Sequence, residues 1–241
     1  MFSFFRKKEK NRPRVAAVIA AAGRSTRMGE DKLMMELDGL PVLVHCLLAF
    51  EECPSIDEIL VVTTEESLPE VGRLCRDFGI EKVRKIVRGG DTRTRSVLNG
   101  LLELSSEVAF AAIHDGARPL VTGEVIEEAV EAALDCGAAA PGVPVKDTVK
   151  WTENGMIQKT LDREKLVLIQ TPQVFDIALI KAALTKGETE QRAFTDECMA
   201  VEALGAPVRV TRGSYENIKL TTIEDLDVAE AILRRREEDR P

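Results

Sequence analysis

The sequence is poor in aromatic residues and has no excess of positive charge, and both features exclude classes of function. Its 241 residues include one tryptophan and one tyrosine, Trp151 and Tyr215, so an aromatic platform for stacking bases is not expected. The formal net charge is −8, whereas affinity for a nucleic-acid backbone depends mainly on cations. We therefore expect no nucleic acid among the partners.

Histidines, cysteine pairs and long apolar runs are also scarce. The two histidines and five scattered cysteines form no C-x-x-C pair, so a structural zinc site is not expected and a reducing, cytoplasmic setting is favoured. No apolar run reaches the roughly 18 residues of a membrane span, so we expect no stable membrane association. The histidines are His45 and His114, and the cysteines are Cys46, Cys53, Cys75, Cys136 and Cys198.

The first 14 residues differ from the rest in charge, with six basic residues and one acidic residue. They lack the apolar core and cleavage site of a signal peptide. We predict that residues 1–13 are a disordered basic tail, with a weak membrane-surface contact through Phe2, Phe4 and Phe5 as the alternative. Residues 14–241 are predicted to form one domain.

Short apolar runs alternate with helical patterns along this domain. Strands are predicted at 15–22, 59–63, 83–87, 108–113, 138–145 and 208–210. Helices are predicted at 42–50, 68–78, 92–104, 123–136, 195–204 and 226–235. This alternation is typical of a Rossmann-like α/β fold, a mostly parallel sheet with helices on both faces.

Residues 146–173 break the alternation. Polar and apolar residues alternate there around Asn154-Gly155, the strongest short-range signal for a β-hairpin. We predict a β-arm that projects from the sheet. Because an isolated two-stranded hairpin is marginally stable, the arm is expected to pack on another protomer.

The first predicted strand leads into the loop AAAGRSTRMGEDK, residues 20–32. Met28 replaces the Gly-Lys pair of a Walker A loop, and Ser25 replaces the second glycine of G-x-G-x-x-G. The small residues still allow backbone N–H groups to approach a ligand, and Arg27 and Lys32 can neutralise phosphate charge. A solvated basic turn is the alternative.

Polar residues follow the later strands too, where ligands of open parallel sheets bind. Gly90, Asp91 and Ser96 follow the third strand, and an ordinary turn with a helix cap is the alternative there. Asp115 follows the fourth strand, where a carboxylate can seat Mg²⁺ beside a phosphate, or merely pair with a nearby arginine. Lys219 follows the last strand and can reach the same edge.

Eight segments taken in order resemble one family. They are AAAGRSTRMGEDK, GGDTRTRS, HDGARP, PVKDTVK, TLDR, QTPQ, TDE and NIKLT, spread from Val15 to Leu233. Their order and spacing resemble the 2-C-methyl-D-erythritol 4-phosphate cytidylyltransferases, nucleotidyltransferases that join CTP to methylerythritol phosphate in non-mevalonate isoprenoid synthesis.

The resemblance implies a role for each matching residue, a Mg²⁺ cofactor and a homodimer that exchanges β-arms. Arg27 and Lys32 would stabilise the transition state, and Asp115 would lie beside Mg²⁺ and the substrate. Arg163 and Lys219 would position the phosphate of methylerythritol phosphate. The cytidine of CTP would be surrounded by Ala21, Ala22, Gly23, Gly90, Asp91 and Ser96. The remaining substrate contacts would come from Arg118, Thr148, Thr171 and Thr195.

Three alternatives remain at this point. A pentitol-phosphate cytidylyltransferase acting on ribitol 5-phosphate resembles this family closely, but tends to carry a bulkier residue where Ala117 stands. A nucleotide-binding regulatory module without catalysis is disfavoured by the full set of cations. An NAD-dependent oxidoreductase is disfavoured by the missing G-x-G-x-x-G pattern.

Overall fold

The computed structural model describes residues 12–23 and 32–239. These residues form a central eight-stranded sheet with helices packed on both faces, which confirms the predicted α/β class. The strands are β1 (Arg14–Ala20), β2 (Glu36–Leu37), β3 (Leu40–Pro41), β4 (Glu58–Thr63), β5 (Val83–Arg88), β6 (Val108–Asp115), β7 (Ala138–Pro144), β8 (Lys150–Glu153), β9 (Met156–Thr160), β10 (Val167–Ile169), β11 (Gln173–Asp176) and β12 (Arg209–Arg212). The helices are α1 (Val42–Glu52), α2 (Leu68–Asp77), α3 (Arg93–Leu102), α4 (Gly123–Cys136), α5 (Ile177–Thr189), α6 (Glu197–Glu202) and α7 (Glu224–Glu238).

The first half of the sheet is parallel. Strand β1 lies between β4 and β6, and β5 pairs with the outer side of β4. Strands β1, β4 and β6 are apolar almost throughout because helices cover both faces, whereas the edge strand β5 carries three charged residues. Successive side chains point to opposite faces, so Ile19 belongs to the apolar core that includes residues of α1, α2, α4 and α7, whereas Val18 belongs to the core that includes residues of α3, α5 and α6.

The second half of the sheet contains antiparallel strands that the sequence interpretation missed. Strand β11 is inserted between β6 and β7 and runs antiparallel to both. Strand β10 continues antiparallel along the same side of β7, and β12 pairs with β7 in parallel. In this register Gln173 pairs with Ile113. Residues 170–173 therefore lie beside the carboxyl end of β6.

The β-arm is present but shorter than the predicted segment 146–173. Strands β8 and β9 form a separate antiparallel pair, joined by Asn154 and Gly155 with φ of 48° and 76°. Positive φ at both turn residues is what a two-residue hairpin turn requires. Every residue of the two strands is exposed. The predicted segment overlaps the sheet at its far end, because β10 belongs to the sheet.

Two predicted features fall partly or wholly outside the described residues. The basic tail is described only from Arg12, whose side chain pairs with Asp57 at 3.0 Å. Residues 24–31, which include Arg27, are outside the described ranges. Among the helices that are described, none has the length and apolar character needed to cross a bilayer.

Candidate active site

A cavity of about 630 Å³ opens at the carboxyl ends of the four parallel strands. Its wall includes the last residue of each strand: Ala20 of β1, Thr63 of β4, Arg88 of β5 and Asp115 of β6. Ligands of open parallel sheets bind at this edge because the loops there leave a crevice. Nine residues assigned to the site from sequence line this cavity, namely Ala21, Ala22, Gly23, Lys32, Gly90, Asp91, Ser96, Asp115 and Lys219.

Two loops of small residues form one side of the cavity. One loop contains Ala21, Ala22 and Gly23, and the other contains Gly89 and Gly90. The two loops are in close contact, because a Cβ added to Gly89 would lie 2.6 Å from Ala22 Cβ and 2.8 Å from Ser96 Oγ. Ser96 Oγ accepts a hydrogen bond from the Gly90 N–H at 3.0 Å and donates to the Thr92 carbonyl at 2.8 Å. The Ser96 side chain therefore holds the second loop in shape.

Asp115 is the carboxylate that the positively charged side chains of the site surround. The residue is 7% exposed, and its carboxylate contacts three cations: Arg93 Nη2 at 3.3 Å, Lys219 Nζ at 2.9 Å and Arg118 Nε at 3.5 Å. Burial alone would raise the pKa of Asp115, but the charges of Arg93, Lys219 and Arg118 and the Lys219 hydrogen bond hold that pKa well below its ordinary value. Asp115 is thus an anion at neutral pH.

Arg93 is a cavity residue that the sequence interpretation did not assign. Its guanidinium bridges two carboxylates, Asp115 on one nitrogen and Glu197 Oε1 on the other at 2.6 Å. Burial opposes its charge, yet the two carboxylates raise the pKa of Arg93 above the ordinary arginine value. Arg93 stands in the GGDTRTRS segment and Glu197 in TDE. The sequence signal that could have pointed to these residues was a charge next to a glycine turn, for Arg93, and next to a helix cap, for Glu197.

Thr171 and His114 form a hydrogen-bonded pair that contacts the backbone of Asp115. Thr171 Oγ1 accepts a hydrogen bond from the Asp115 N–H at 3.2 Å and lies 2.9 Å from His114 Nδ1. His114 Nε2 lies 3.2 Å from the Arg118 carbonyl. Because a carbonyl only accepts, Nε2 carries the hydrogen and Nδ1 accepts from the threonine hydroxyl. Thr171 therefore orients the backbone of Asp115.

The two lysines of the site lie on one side of the cavity. Lys32 Nζ donates to the Leu220 carbonyl at 3.1 Å, next to Lys219 in the chain. Arg118 Nη1 donates to the Asn217 carbonyl at 2.7 Å, which ties the Asp115 turn to the loop that carries Lys219. Lys32, Arg118 and Lys219 thus come from distant parts of the sequence and lie together at the carboxyl edge of the sheet.

Five assigned residues are not part of the described wall of the cavity: Arg118, Thr148, Arg163, Thr171 and Thr195. Arg118 and Thr171 contact Asp115 without lining the cavity themselves. Arg163 is exposed at the base of the arm, where Nη1 donates to the Lys146 carbonyl at 2.7 Å, and Thr148 is exposed in the same region. Thr195 Oγ1 lies 3.7 Å from Met199 Sδ, just before α6.

Comparisons with known proteins agree with one another. The sequence model of the IspD family, 2-C-methyl-D-erythritol 4-phosphate cytidylyltransferase, matches residues 15–235. Relatives with that name include the protein of Halalkalibacterium halodurans, 46% identical over 92% of this chain and 98% of the relative. The protein of Caldanaerobacter subterraneus is 47% identical over 92% of this chain and 99% of its own.

Solved structures give the same result. The 4-diphosphocytidyl-2C-methyl-D-erythritol synthase of Anaerococcus prevotii has a TM-score of 0.83 at 30% identity and covers 92% of this chain and 99% of its own. The 2-C-methyl-D-erythritol 4-phosphate cytidylyltransferase of Thermus thermophilus has a TM-score of 0.75 at 31% identity, covering 90% and 98%. The chain therefore belongs to the 2-C-methyl-D-erythritol 4-phosphate cytidylyltransferase family.

Proposed function

We propose that this chain transfers CMP from CTP to 2-C-methyl-D-erythritol 4-phosphate and releases pyrophosphate, as a step of non-mevalonate isoprenoid synthesis. The observation that carries the proposal is the cavity at the strand ends. It combines a rim of small residues with a carboxylate held among three cations. An acceptor phosphate and a nucleoside triphosphate are the ligands that such a rim and such charges suit.

The chemistry is an in-line displacement. A phosphate oxygen of methylerythritol phosphate forms a bond to the α-phosphorus of CTP, while the bond from that phosphorus to the oxygen bridging to the β-phosphate breaks. Pyrophosphate leaves with that electron pair, and no covalent enzyme intermediate is needed. Such a reaction depends on positioning and charge neutralisation. We assign these tasks to Arg27, Lys32, Lys219 and Arg163.

The nucleotide is assigned to the small-residue side of the cavity. Ala21–Gly23 and Gly90–Asp91 would surround the cytidine through backbone groups, with Ser96 holding the second loop. Close loops favour a pyrimidine by size, and unpaired backbone groups penalise the wrong base. Asp115, Arg118, Thr171, Thr195 and Lys219 are assigned to methylerythritol phosphate.

The Asp115 carboxylate is the group that we assign to a divalent cation. It is ionised and lies at the cavity wall, and its Oδ2 forms an ion pair with the half-exposed Lys219. No group of three or more His, Cys, Asp and Glu side chains in the described part of the chain is placed to hold a metal. Mg²⁺ commonly takes only one or two protein carboxylates, with phosphate and water completing its shell. We propose Asp115 as its protein ligand, where Mg²⁺ would neutralise charge on the triphosphate.

The arm supports a proposed homodimer. Trp151, Met156 and Ile157 are 51%, 68% and 63% exposed, and large exposed apolar side chains on one hairpin favour a protein partner. Arg163 and Thr148 lie near this arm and away from their own cavity. We propose that a second copy of the chain receives the arm, so that both residues serve the partner's active site.

Two further assignments concern the whole chain. Residues 14–241 are proposed to form one nucleotidyltransferase domain behind the tail 1–13, of which Arg12 contacts the domain. We also propose that the enzyme works in the cytoplasm, since all five cysteines carry free thiols, which suits a reducing compartment.

Product analysis tests the function. We expect purified protein with CTP and Mg²⁺ to release pyrophosphate with methylerythritol phosphate and to form the cytidylyl product. Ribitol 5-phosphate should give far less product, and CTP should be preferred over UTP and ATP. Equal product from ribitol 5-phosphate would favour the pentitol enzyme, and CTP binding without product from either alditol phosphate would favour a regulatory module.

A lysine variant links the activity to this cavity. Lys219→Met keeps side-chain length but removes the charge next to Asp115, so kcat should fall by roughly 100-fold or more. Lys186→Met is the matched control, because Lys186 lies on α5 with its charge 3.9 Å from Glu190 on the surface, and it should keep full activity. Normal kcat in the Lys219 variant would contradict the assigned role.

A further inference from the structure

Glu197 is a buried carboxylate that the proposed chemistry does not use. It begins α6 and is 1% exposed. Oε1 accepts a hydrogen bond from Arg93 Nη1 at 2.6 Å, whereas Oε2 has no hydrogen-bond partner among the described residues. Burying a charged group with half of its acceptors unused is costly, and an apolar side chain often serves packing better. The position of Glu197 therefore calls for another explanation.

Arg93 connects Glu197 to the active site. It is the first residue of α3, and its two terminal nitrogens are divided between Glu197 and Asp115. A guanidinium presents its donors in a rigid plane, so fixing one nitrogen fixes the direction of the other. Glu197 thus determines where the second nitrogen meets Asp115.

The two oxygens of Asp115 have different partners. Oδ1 contacts Arg93 at 3.3 Å, while Oδ2 contacts Lys219 at 2.9 Å and Arg118 at 3.5 Å. Arg93 is also held by the buried carboxylate of Glu197, so its contact with Oδ1 is the more constrained of the two. With Oδ1 held, the carboxylate cannot rotate without breaking a charged hydrogen bond.

We propose that Glu197 is a positioning residue of the transfer reaction, which acts through Arg93 to fix the plane of the Asp115 carboxylate and keep Oδ2 directed at Lys219 and the acceptor substrate. This inference rests on the proposed function, because it takes Asp115 as a residue of the acceptor site. Glu197 itself touches neither substrate.

Glu197→Gln tests the proposal, since it keeps the shape and the acceptor oxygen but removes the charge. We expect kcat/KM for methylerythritol phosphate to fall about 10- to 100-fold, as is typical when a supporting partner of a site is lost. The KM for CTP should change less than the acceptor kcat/KM does, because the hydrogen bonds of Ser96 that shape the nucleotide side of the cavity involve neither Glu197 nor Asp115. Wild-type kcat/KM for the acceptor in a folded variant would overturn the proposal.

Glu188→Gln is the matched control. Glu188 Oε2 pairs at 2.6 Å with Arg95 Nη1, on the same helix α3 and at the same distance, but this pair is on the surface and does not touch Asp115. Exposed pairs contribute little, so the control should keep its kcat/KM for the acceptor. An equal loss in both variants would show that any disturbance of α3 lowers activity, and would overturn the proposal.

A double-mutant cycle separates positioning from a purely structural role. In an Asp115→Asn background, Glu197→Gln should lower the residual kcat/KM by less than about twofold, because its target is already altered. Losses that multiply would contradict an action through Asp115. If Glu197→Gln does not fold, Arg93→Lys tests the same link, since one ammonium cannot hold both carboxylates in the same plane; an unchanged kcat/KM would then overturn it.

The wild-type assay distinguishes this inference from the function on which it rests. No product from wild-type protein and methylerythritol phosphate would contradict the proposed function. Product from wild-type protein together with unchanged acceptor kcat/KM in folded Glu197→Gln would contradict only the role of Glu197.

Discussion

His114 is a completely buried imidazole with partners for both ring nitrogens. Nε2–H donates to the Arg118 carbonyl and Nδ1 accepts from Thr171, while the ring packs against Phe50 with centroids 4.9 Å apart. This arrangement suits the neutral ring. Burial lowers the pKa of His114 to about 4 from its ordinary value of 6.5, and the opposing charge of Asp115 does not compensate.

The neutral His114 ring predicts acid sensitivity. The unfolded chain binds this proton near pH 6.5 and the folded chain only near pH 4, so stability is full above 6.5 and falls as pH drops towards 4. This pKa difference corresponds to a loss of about 3 kcal/mol in unfolding free energy once the pH is below 4. Urea unfolding at pH 7 and pH 5 should show a smaller pH effect in His114→Gln than in wild type. Identical pH effects would contradict the buried neutral ring.

Gly89 lies where the two loops of small residues that line the cavity come into close contact. An added Cβ would meet Ala22 and Ser96 at distances that real Cβ atoms do not reach, so Gly89→Ala must push the loops apart. We expect kcat/KM for CTP to fall about tenfold or more, with a stability loss of about 1–3 kcal/mol. Gly123→Ala is the control, because nothing lies within 4 Å of its Cβ position. Equal CTP kinetics in the two variants would show that the close approach is unimportant.

Single residues could be assigned from sequence where a strand end or a glycine turn marked them. Asp115, Gly90 and Lys219 follow predicted strands, and the structure brings them to one cavity. Arg93 and Glu197 were not assigned, because a charge beside a glycine turn or a helix cap does not identify its partner. Their pairing joins positions 104 residues apart in the chain, and no local pattern reveals contacts at that separation.

At the scale of elements, α6 shows how a very short helix is held in place. Its six residues are too few to be helical by propensity alone. Asp196 accepts from the Met199 N–H at 2.9 Å, and buried Gln173 Oε1 accepts from the N–H groups of Glu197 and Cys198 at 3.1 and 3.0 Å. Gln173 Nε2 also donates to Asp196 Oδ2 at 3.1 Å. One side chain of β11 therefore organises the start of α6.

Removing this side-chain cap should be costly. Gln173→Met keeps the volume but leaves two N–H groups at the helix start without that acceptor, so we expect a loss of about 2–4 kcal/mol in unfolding free energy. Gln158→Met is the control, because Gln158 is exposed on β9, and should change stability by less than about 0.5 kcal/mol. Chemical denaturation of both variants provides the measurement, and similar stabilities would contradict the role of Gln173.

Elements were predictable when their periodicity was strong and local. The inner parallel strands β1, β4 and β6 are nearly continuous apolar runs, and Asn154-Gly155 marks the hairpin turn. Strand β11 has only four residues and a polar residue at each end, so its insertion between β6 and β7 had no signal in the sequence. Helix α5 received no assignment although its buried positions 180, 183, 184 and 187 have helical spacing.

At the scale of the whole molecule, the proposed exchange of arms makes complementation a direct test. Lys32→Ala removes a cation from the cavity of its own chain, and Arg163→Ala removes one from the arm. Each variant alone should be almost inactive. In a mixed dimer one site carries both lesions and the other none. Random mixing makes about half of the dimers mixed, so co-refolding should restore roughly a quarter of full activity.

Co-refolding of Lys32→Ala with Lys219→Ala is the matched control for this test. Both residues line the cavity of one chain, so every site of that mixed dimer still carries a lesion and activity should stay low. Recovery in both mixtures, or in neither while mixed dimers are shown to form, would contradict the sharing of sites between chains.

The exposed hairpin of β8 and β9 has one more consequence under this proposal. A site assembled from two polypeptides exists only while they remain associated, so the number of working sites rises faster than linearly with the amount of protein when protein is scarce. A cell that makes little of this enzyme then obtains disproportionately little catalysis from it. The apolar side chains of the hairpin set the concentration at which this shortfall ends, although none of them takes part in the chemistry.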